Sequence, residues 1–358
     1  MGLIPDLSDD VARECLLRAS YAQFPAISSV CKSWKREISL PEFFRRRRAC
    51  RHSQKLLVMA QAWVDPVKKS GTRPGKTFSS PTFRISVLEL GSGLWTELPP
   101  VPGLPNGLPL FCRLAAVGSD LVVLGGLDPV TWQASDSVFI FSFLSSTWRL
   151  GASMPGVRRS FFGCASDSDR TVFVAGGHDE DKNALTSAIS YDVAENRWVP
   201  LTDMARERDE CLAIFHGGRF HVVGGYTTEE QGQFCKSAES IDISTWRWGR
   251  VSEGHLHSST CQPVCAADEN GELYACCRGE VTAKSDETWQ KAMEIPADVY
   301  NVAYVAAVGE RKLVVIGSAR FGDPTVAYVG DLNTSEWVKV ESSEKYEGHV
   351  QTACFMEL

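Results

Sequence analysis

Residues 158–198 read RRSFFGCASDSDRTVFVAGGHDEDKNALTSAISYDVAENRW, the pattern of one small antiparallel sheet. Residues 160–165 alternate as a half-buried strand does, residues 167–170 are a short polar turn, and residues 171–175 form a second apolar run. Two strands joined this tightly run antiparallel. Gly176-Gly177 follows and suits a backbone that turns sharply or passes close to a neighbour, because glycine alone tolerates positive φ freely. A polar loop at 178–186, a third strand at 188–193 and a turn into Trp198, which opens a fourth, complete the sheet.

The unit recurs along the chain. Gly125-Gly126, Gly176-Gly177 and Gly224-Gly225 lie 51 and 48 residues apart, and Trp95, Trp148, Trp198, Trp248, Trp289 and Trp337 are spaced by 53, 50, 50, 41 and 48. The segments FSFLSSTW, YDVAENRW, IDISTWRW and GDLNTSEW each pass through a polar turn into the tryptophan. A period near 50 residues marks a repeat architecture. The pattern resembles the kelch repeat, and that resemblance implies one four-stranded β-propeller blade per unit. Residues 51–358 divide into six tryptophan-marked units of about 51 residues, hence six blades. Cys276-Cys277 stands where the glycines belong in the fifth unit, and Gly317-Ser318 in the sixth.

The ends of the array predict how it closes. In the inner units an alternating strand runs through a short hairpin into a glycine-ended strand, as in AAVGSDLVVLGG and AIFHGGRFHVVGG. Residues 349–356 have no such successor and residues 55–62 no predecessor. Pairing the two closes the ring and leaves no open edge.

Composition sets the class. At 358 residues, with 44% hydrophobic and 23% charged, the chain is an ordinary globular one, long enough for one large domain and one small. A net charge of −7 argues against generic nucleic-acid binding. No apolar run reaches the roughly 18 residues of a bilayer span, and the opening MGLIPDLSDD is acidic where a secretory leader is basic. The cytoplasm or nucleus is therefore the expected location. Gly2 invites myristoylation, but Asp6 stands where that signal needs Ser or Thr. Twelve cysteines, many in strand-like stretches such as Cys112, Cys164, Cys211 and Cys354, fit a reducing compartment in which thiols pack as small apolar groups.

Residues 3–52 read as helical. Ser8 is a candidate cap with Asp9 and Asp10 in the first turn, and Val11, Ala12, Cys15 and Leu16 recur at helical spacing. A second apolar face runs through Phe24, Ile27, Val30, Cys31, Trp34 and Ile38, and Pro41 opens a third helix carrying Phe43 and Phe44. So small a piece buries little surface, and its exposed apolar groups suggest a partner that completes its core. The alternative reading is a helical cap packed on the propeller.

Ile4-Pro5-Asp6-Leu7, Val30-Cys31-Lys32-Ser33-Trp34 and Pro41-Glu42-Phe43 together resemble the F-box. The chain departs from that motif at residues 21–26, YAQFPA, where a leucine-rich stretch is usual. Carried over by position, Pro5, Leu7, Val11, Leu16, Val30 and Trp34 would contact or support a Skp-type adaptor. An F-box at residues 1–52 followed by a six-bladed kelch propeller at 53–358 resembles the plant F-box/kelch-repeat proteins, especially the kiss-me-deadly clade. That resemblance implies a substrate receptor of SCF-type cullin-RING ubiquitin ligases, linked to cullin through the adaptor. It further implies phenylalanine ammonia-lyase or type-B response regulators of cytokinin signalling as candidate targets. A non-ligase kelch interaction module is the alternative, and a metal-dependent propeller enzyme the third.

After the F-box, Arg45 to Arg48 with Arg51, His52 and Lys55 form a basic run, readable as an import signal or as a solvated helix face. Strand direction puts the start of each innermost strand and the loops after the glycines on one rim. Trp132, Tyr226, Phe234 and Phe321 sit in those loops, with Arg113, Arg158, Arg159, Arg206, Arg208, His257 and Arg320 nearby. Aromatics beside arginines suit a protein interface, so these eleven residues are the expected target-binding rim. The polar insert 65–81 adds a long loop to the same face. Nothing implies a cofactor. His255, His257, Cys261, Cys265 and Cys276-Cys277 are the densest Cys/His region, but their spacing fits no standard zinc pattern. Without a Gly-x-Ser-x-Gly, a Walker-type loop or a His-Glu-x-x-His, the sequence offers no candidate for nucleophilic or hydrolytic chemistry.

Overall fold

Helices dominate the first fifty residues, and among the described residues that follow the regular elements are strands and short 3-10 turns. The computed structural model describes residues 3–64, 81–256, 264–268, 270–277, 279–285, 288–309 and 311–358. Ser8 caps α1 (Asp9–Leu17): its Oγ accepts from the Val11 amide at 3.5 Å, while Asp9 and Asp10 face the positive end of the helix dipole. A 3-10 turn at Tyr21–Gln23 leads into α2 (Phe24–Val30), α3 (Lys32–Ser39) and α4 (Pro41–Ala49). The expected three helices are therefore four. The apolar run from Phe24 to Ile38 breaks at Cys31, whose extended backbone (φ −161°, ψ 166°) ends α2 and whose Sγ accepts from the Trp34 amide to cap α3.

Among the described residues the strands form six four-stranded antiparallel sheets. Blade 1 holds β1 (Lys55–Ala62), β2 (Phe83–Glu89) and β3 (Leu94–Glu97). Blade 2 is β4 (Arg113–Val117), β5 (Asp120–Leu124), β6 (Val138–Ser142) and β7 (Thr147–Leu150). Blade 3 is β8 (Gly163–Ser166), β9 (Thr171–Ala175), β10 (Ala188–Asp192) and β11 (Arg197–Pro200). Blade 4 is β12 (Leu212–His216), β13 (Arg219–Val223), β14 (Ala238–Asp242) and β15 (Arg247–Trp248). Blade 5 is β16 (Val264–Ala267), β17 (Leu273–Cys277), β18 (Glu280–Ser285) and β19 (Thr288–Glu294). Blade 6 is β20 (Asn301–Ala307), β21 (Lys312–Ser318), β22 (Val326–Asp331) and β23 (Glu336–Val340).

The last strand, β24 (Val350–Glu357), completes blade 1 from the inside, pairing with β1 from Lys55↔Glu357 to Gln61↔Val350. The ring closes as the unpaired end strands predict. In blade 3, β9 has the expected limits, whereas β8 starts at Gly163. Ser160 is spent on an isolated bridge to His178, and Phe161 turns into left-handed backbone (φ 55°) before the strand begins.

The two repeating signals have separate structural causes. At Gly176 and Gly177 φ is +66° and +81°, and a Cβ would stand 2.3 Å from the carbonyls of Arg208 and Ser160, so both the turn and the close approach exclude a side chain. Each tryptophan reaches back one blade. The indole N–H groups of Trp148, Trp198, Trp248, Trp289 and Trp337 donate to the carbonyls of Pro99, Ala152, Thr202, His255 and Glu294 at 2.6–2.8 Å. Trp95 in blade 1 donates to Glu341 after blade 6 at 2.9 Å, so the relay passes once around the ring.

Apolar clusters fill the seams between blades, and the helices extend one of them. Leu16, Leu17, Phe24, Ile38, Phe43 and Phe44 share a buried cluster with Leu56, Val58, Phe141, Met356 and Leu358. The ring thus buries the inner face of the helices. Arg47 pins the junction: fully buried, it donates to the carbonyls of Leu17 (2.5 Å), Ala19 (2.6 Å) and Leu358 (3.3 Å), with its guanidinium over the rings of Phe24 and Phe43. Burial pulls its pKa down to about 10, which leaves it charged at neutral pH. The basic run is thus part structure, since Arg45 and Arg46 pair with Glu42 on the exposed face of α4. Between blades 4 and 5 the described apolar cluster is small, with Val223, Ala238 and Leu256 buried. His216 and His221 stack beside it, ring centroids 4.3 Å apart and planes within 4°, with His255 6.5 Å from His221.

Candidate functional site

The helices sit at the hairpin-turn end of the ring. Ser28 Oγ donates to the carbonyl of Leu144 in the turn after β6, and the Tyr21 ring packs edge-on to Phe143. Of the six predicted adaptor residues, Pro5, Leu7, Val11 and Val30 are exposed, Val30 at 60%. Exposed Leu40 adds to this apolar surface. Trp34 is half-buried, and its indole donates to the Leu3 carbonyl at 2.6 Å, which ties the N-terminal segment to α3. Leu16 is buried in the cluster shared with the ring, so it supports the surface from behind. Leu7, Val11, Val30 and Leu40 thus leave apolar side chains in water on one small helical platform.

The rim lies at the opposite end. Three of its predicted residues are buried instead of exposed: Tyr226 is 6% exposed, and the arginines Arg159 and Arg208 only 2% and 1%. Arg159 donates to the carbonyls of Gly176 and Ser187 and to Ser187 Oγ. Arg208 repeats this one blade on, with the carbonyls of Gly224 and Ser237, Ser237 Oγ and the buried carboxylate of Glu239. They are clamps within blades 3 and 4, because the turned glycine backbone presents carbonyls that only a long multidentate donor can satisfy. Arg158 and Arg206 are exposed, near Asp136 at 3.8 Å and against Glu253 at 2.6 and 3.0 Å. Arg113 donates to the carbonyl of Phe162.

Trp132 is 58% exposed, Arg320 is exposed, and Phe321, 83% exposed, lies 5.3 Å from the His349 ring. Tyr226 is buried, with its ring 5.4 Å from Phe234. His257, Cys261 and most of the 65–81 insert lie outside the described residues.

The rim carries a cleft of about 570 Å³ across blades 2, 3 and 4, lined by Trp132, Phe161, His178, Asp179, Glu180, Asp209, Glu210 and Tyr226 among others. Sequence reasoning found Trp132 and Tyr226 here and missed Phe161, His178 and the use of the acids. Phe111, Phe161 and Glu210 occupy one repeat position, directly after the bridging residues Leu110, Ser160 and Asp209, and all have left-handed backbone (φ 57°, 55° and 49°). Two phenylalanines at a fixed offset before successive inner strands were the available signal. The rings form a ladder, Phe111 to Phe161 at 4.8 Å and Phe161 to His178 at 5.4 Å.

Polar contacts fix other residues of the lining. Tyr226 donates its hydroxyl to Glu210 at 2.9 Å, and burial, then that bond, push the phenol's pKa up so that it stays a donor. Asn183 and neighbouring amides bond to Asp179 and hold its carboxyl below the usual range.

Ser160 Oγ lies 2.8 Å from His178 Nε2, and His178 Nδ1 2.8 Å from Asp209 Oδ2, the connectivity that serine hydrolases use. The fold thus assembles a constellation that no local spacing reveals. Ser160 is buried, and its own backbone N–H is bonded to the His178 carbonyl, so it supplies no oxyanion donor. The chain of bonds ties blade 3 to blade 4. Among the described residues, no group of three or more His, Cys, Asp or Glu could hold a metal ion, and no helix is long and apolar enough to cross a membrane.

Comparison with known proteins agrees with both ends of this architecture. Residues 4–46 match the F-box domain, and residues 110–155 and 158–205 the Kelch motif. Two F-box/kelch-repeat proteins of Arabidopsis thaliana are 64% and 61% identical over the whole of both chains. A third from the same plant is 33% identical over 95% of this chain and 93% of its own. With helices that match the F-box at one end of a closed six-bladed kelch ring, the chain belongs to the plant F-box/kelch-repeat proteins.

Proposed function

We propose that the chain is the substrate receptor of an SCF-type ubiquitin ligase, with Pro5, Leu7, Val11 and Val30 docking a Skp-type adaptor and the rim holding the target. The observation that carries this reading is the placement of an exposed apolar helical surface and an aromatic, charged cleft at opposite ends of one rigid ring. The receptor acts by proximity: cullin and RING subunits bring a ubiquitin-charged enzyme to lysines on the captured protein, and the effective concentration does the rest. Phenylalanine ammonia-lyase and type-B response regulators are the target candidates that the clade resemblance suggests. Proximity labelling with the proteasome blocked tests them, and labelling of neither removes both.

The docking half is tested by the triple variant L7D/V11D/V30D. Charge on three exposed apolar positions leaves the core untouched and abolishes co-purification with the Skp-type adaptor, while melting temperature stays within a few degrees of wild type. Full adaptor recovery by the triple variant would favour a kelch interaction module outside the ligase.

A further inference from the structure

We infer that the cleft across blades 2, 3 and 4 takes an arginine- or lysine-bearing segment of the target protein, an assignment that rests on the rim being the capture surface. The lining is acidic: it holds Asp179, Glu180, Asp209 and Glu210 against Lys182, the one Lys or Arg among the lining residues. Of the nearby cations, Arg208 is neutralised by Glu239 and Arg206 by Glu253, and Arg159 spends its donors on the Gly176 and Ser187 carbonyls, so the acids still outnumber the cations. Two of the four carboxylates are already committed, Asp209 to His178 and Asp179 to Asn183. Glu180 is exposed with no partner among the described residues, and Glu210 has one oxygen engaged by Tyr226. Negative charge is therefore available to an incoming cation.

Ring faces stand beside it. Phe161, His178 and exposed Trp132 are among the lining residues, and Phe111, outside the lining, packs on Phe161 at 4.8 Å. A guanidinium or ammonium between an aromatic face and a carboxylate gains cation–π attraction and a charge-assisted hydrogen bond at once. Phenylalanine in left-handed backbone is uncommon and unfavourable, and two at the mouth of adjacent blades hold their rings where loop relaxation would remove them. The space, about 570 Å³ shared by three blades, admits a peptide segment with more than one side chain.

The test pans full-length protein, co-purified with its adaptor, against a randomised peptide library. Recovered sequences should be enriched in Arg and Lys. The best binder should lose about ten-fold in affinity on W132A/E180K and weaken as salt is raised. Adaptor co-purification reports that each variant is folded, and E180Q separates loss of charge from its reversal. Acidic or uncharged winners, or basic winners indifferent to W132A/E180K and E180Q, overturn the cleft assignment. If those winners are released by R320E/F321A, rim capture stands and only the cleft chemistry falls. Recovery of no peptide that any rim substitution releases overturns both.

Discussion

At the hairpin-turn end of the ring, Leu16, Phe24, Ile38, Phe43 and Phe44 sink into a core shared with the first two blades, and a buried arginine binds three carbonyls across the junction. At the rim end, Trp132 and Phe321 remain in water, and the carboxylates of Glu180 and Glu210 border an open cleft. Arginine shows the difference most clearly. Arg47, Arg159 and Arg208 turn their donors inward to backbone carbonyls, Arg208 also to the buried Glu239, whereas Arg206 only reaches an acid across the surface. The lesson is that the depth of the nearest unsatisfied carbonyl, more than the identity of the side chain, separates a structural position from a functional one.

Deleting residues 350–358 is the severest test of that contrast. It removes the innermost strand of blade 1 together with the Leu358 backbone that pairs with Gln54 and receives Arg47, so both ring and helical platform lose their anchor. The truncated protein should show no cooperative thermal transition. A melting curve coincident with that of the full-length protein would place closure elsewhere.

Replacing Arg208 sharpens the contrast at the rim itself. R208A leaves the Glu239 carboxylate buried without its ion pair and should cost about 3–5 kcal/mol in denaturant titration. R206A, two residues away, should cost no more than about 0.5 kcal/mol. Equal losses would erase the distinction between clamp and surface.

Acid should attack one seam before the others. Burial holds His221 down to about 3 and His255 to about 4, the latter also beside the Lys284 ammonium, and it lowers His216, which faces Asp268. In an unfolded chain histidine titrates near 6.5, so the unfolded state binds more protons and stability falls as pH drops below about 6.5. At pH 5 the His221 contribution is about 1–2 kcal/mol after allowance for its partial exposure. H221F keeps an aromatic stack and should flatten the fall in melting temperature between pH 7 and pH 5. An unchanged pH profile would clear this seam.

The fold was legible because its signals are periodic and local: glycine pairs that need positive φ, tryptophans every fifty residues, and two end strands lacking partners. The helical break at Cys31 was not, since a capping thiol leaves the 3.6-residue apolar pattern intact. The rim was half legible. Its loops and exposed aromatics follow from strand direction, but the burial of Arg159 and Arg208 depends on carbonyls of the glycine turn, which carry no side-chain signature. The cleft depended on proximity alone: His178 and Asp209, 31 residues apart, meet across two blades.

The tryptophan relay has a historical consequence. Every unit brings one donor for the unit before it and one acceptor for the unit after, so duplication of a whole repeat would enlarge the ring without orphaning a single indole. Loss of part of a repeat would orphan one. The tryptophan contact survives where the glycine turn does not: in the fifth unit Cys276 and Cys277, expected in place of the glycines, lie inside β17, and Trp289 still reaches back to the carbonyl of His255.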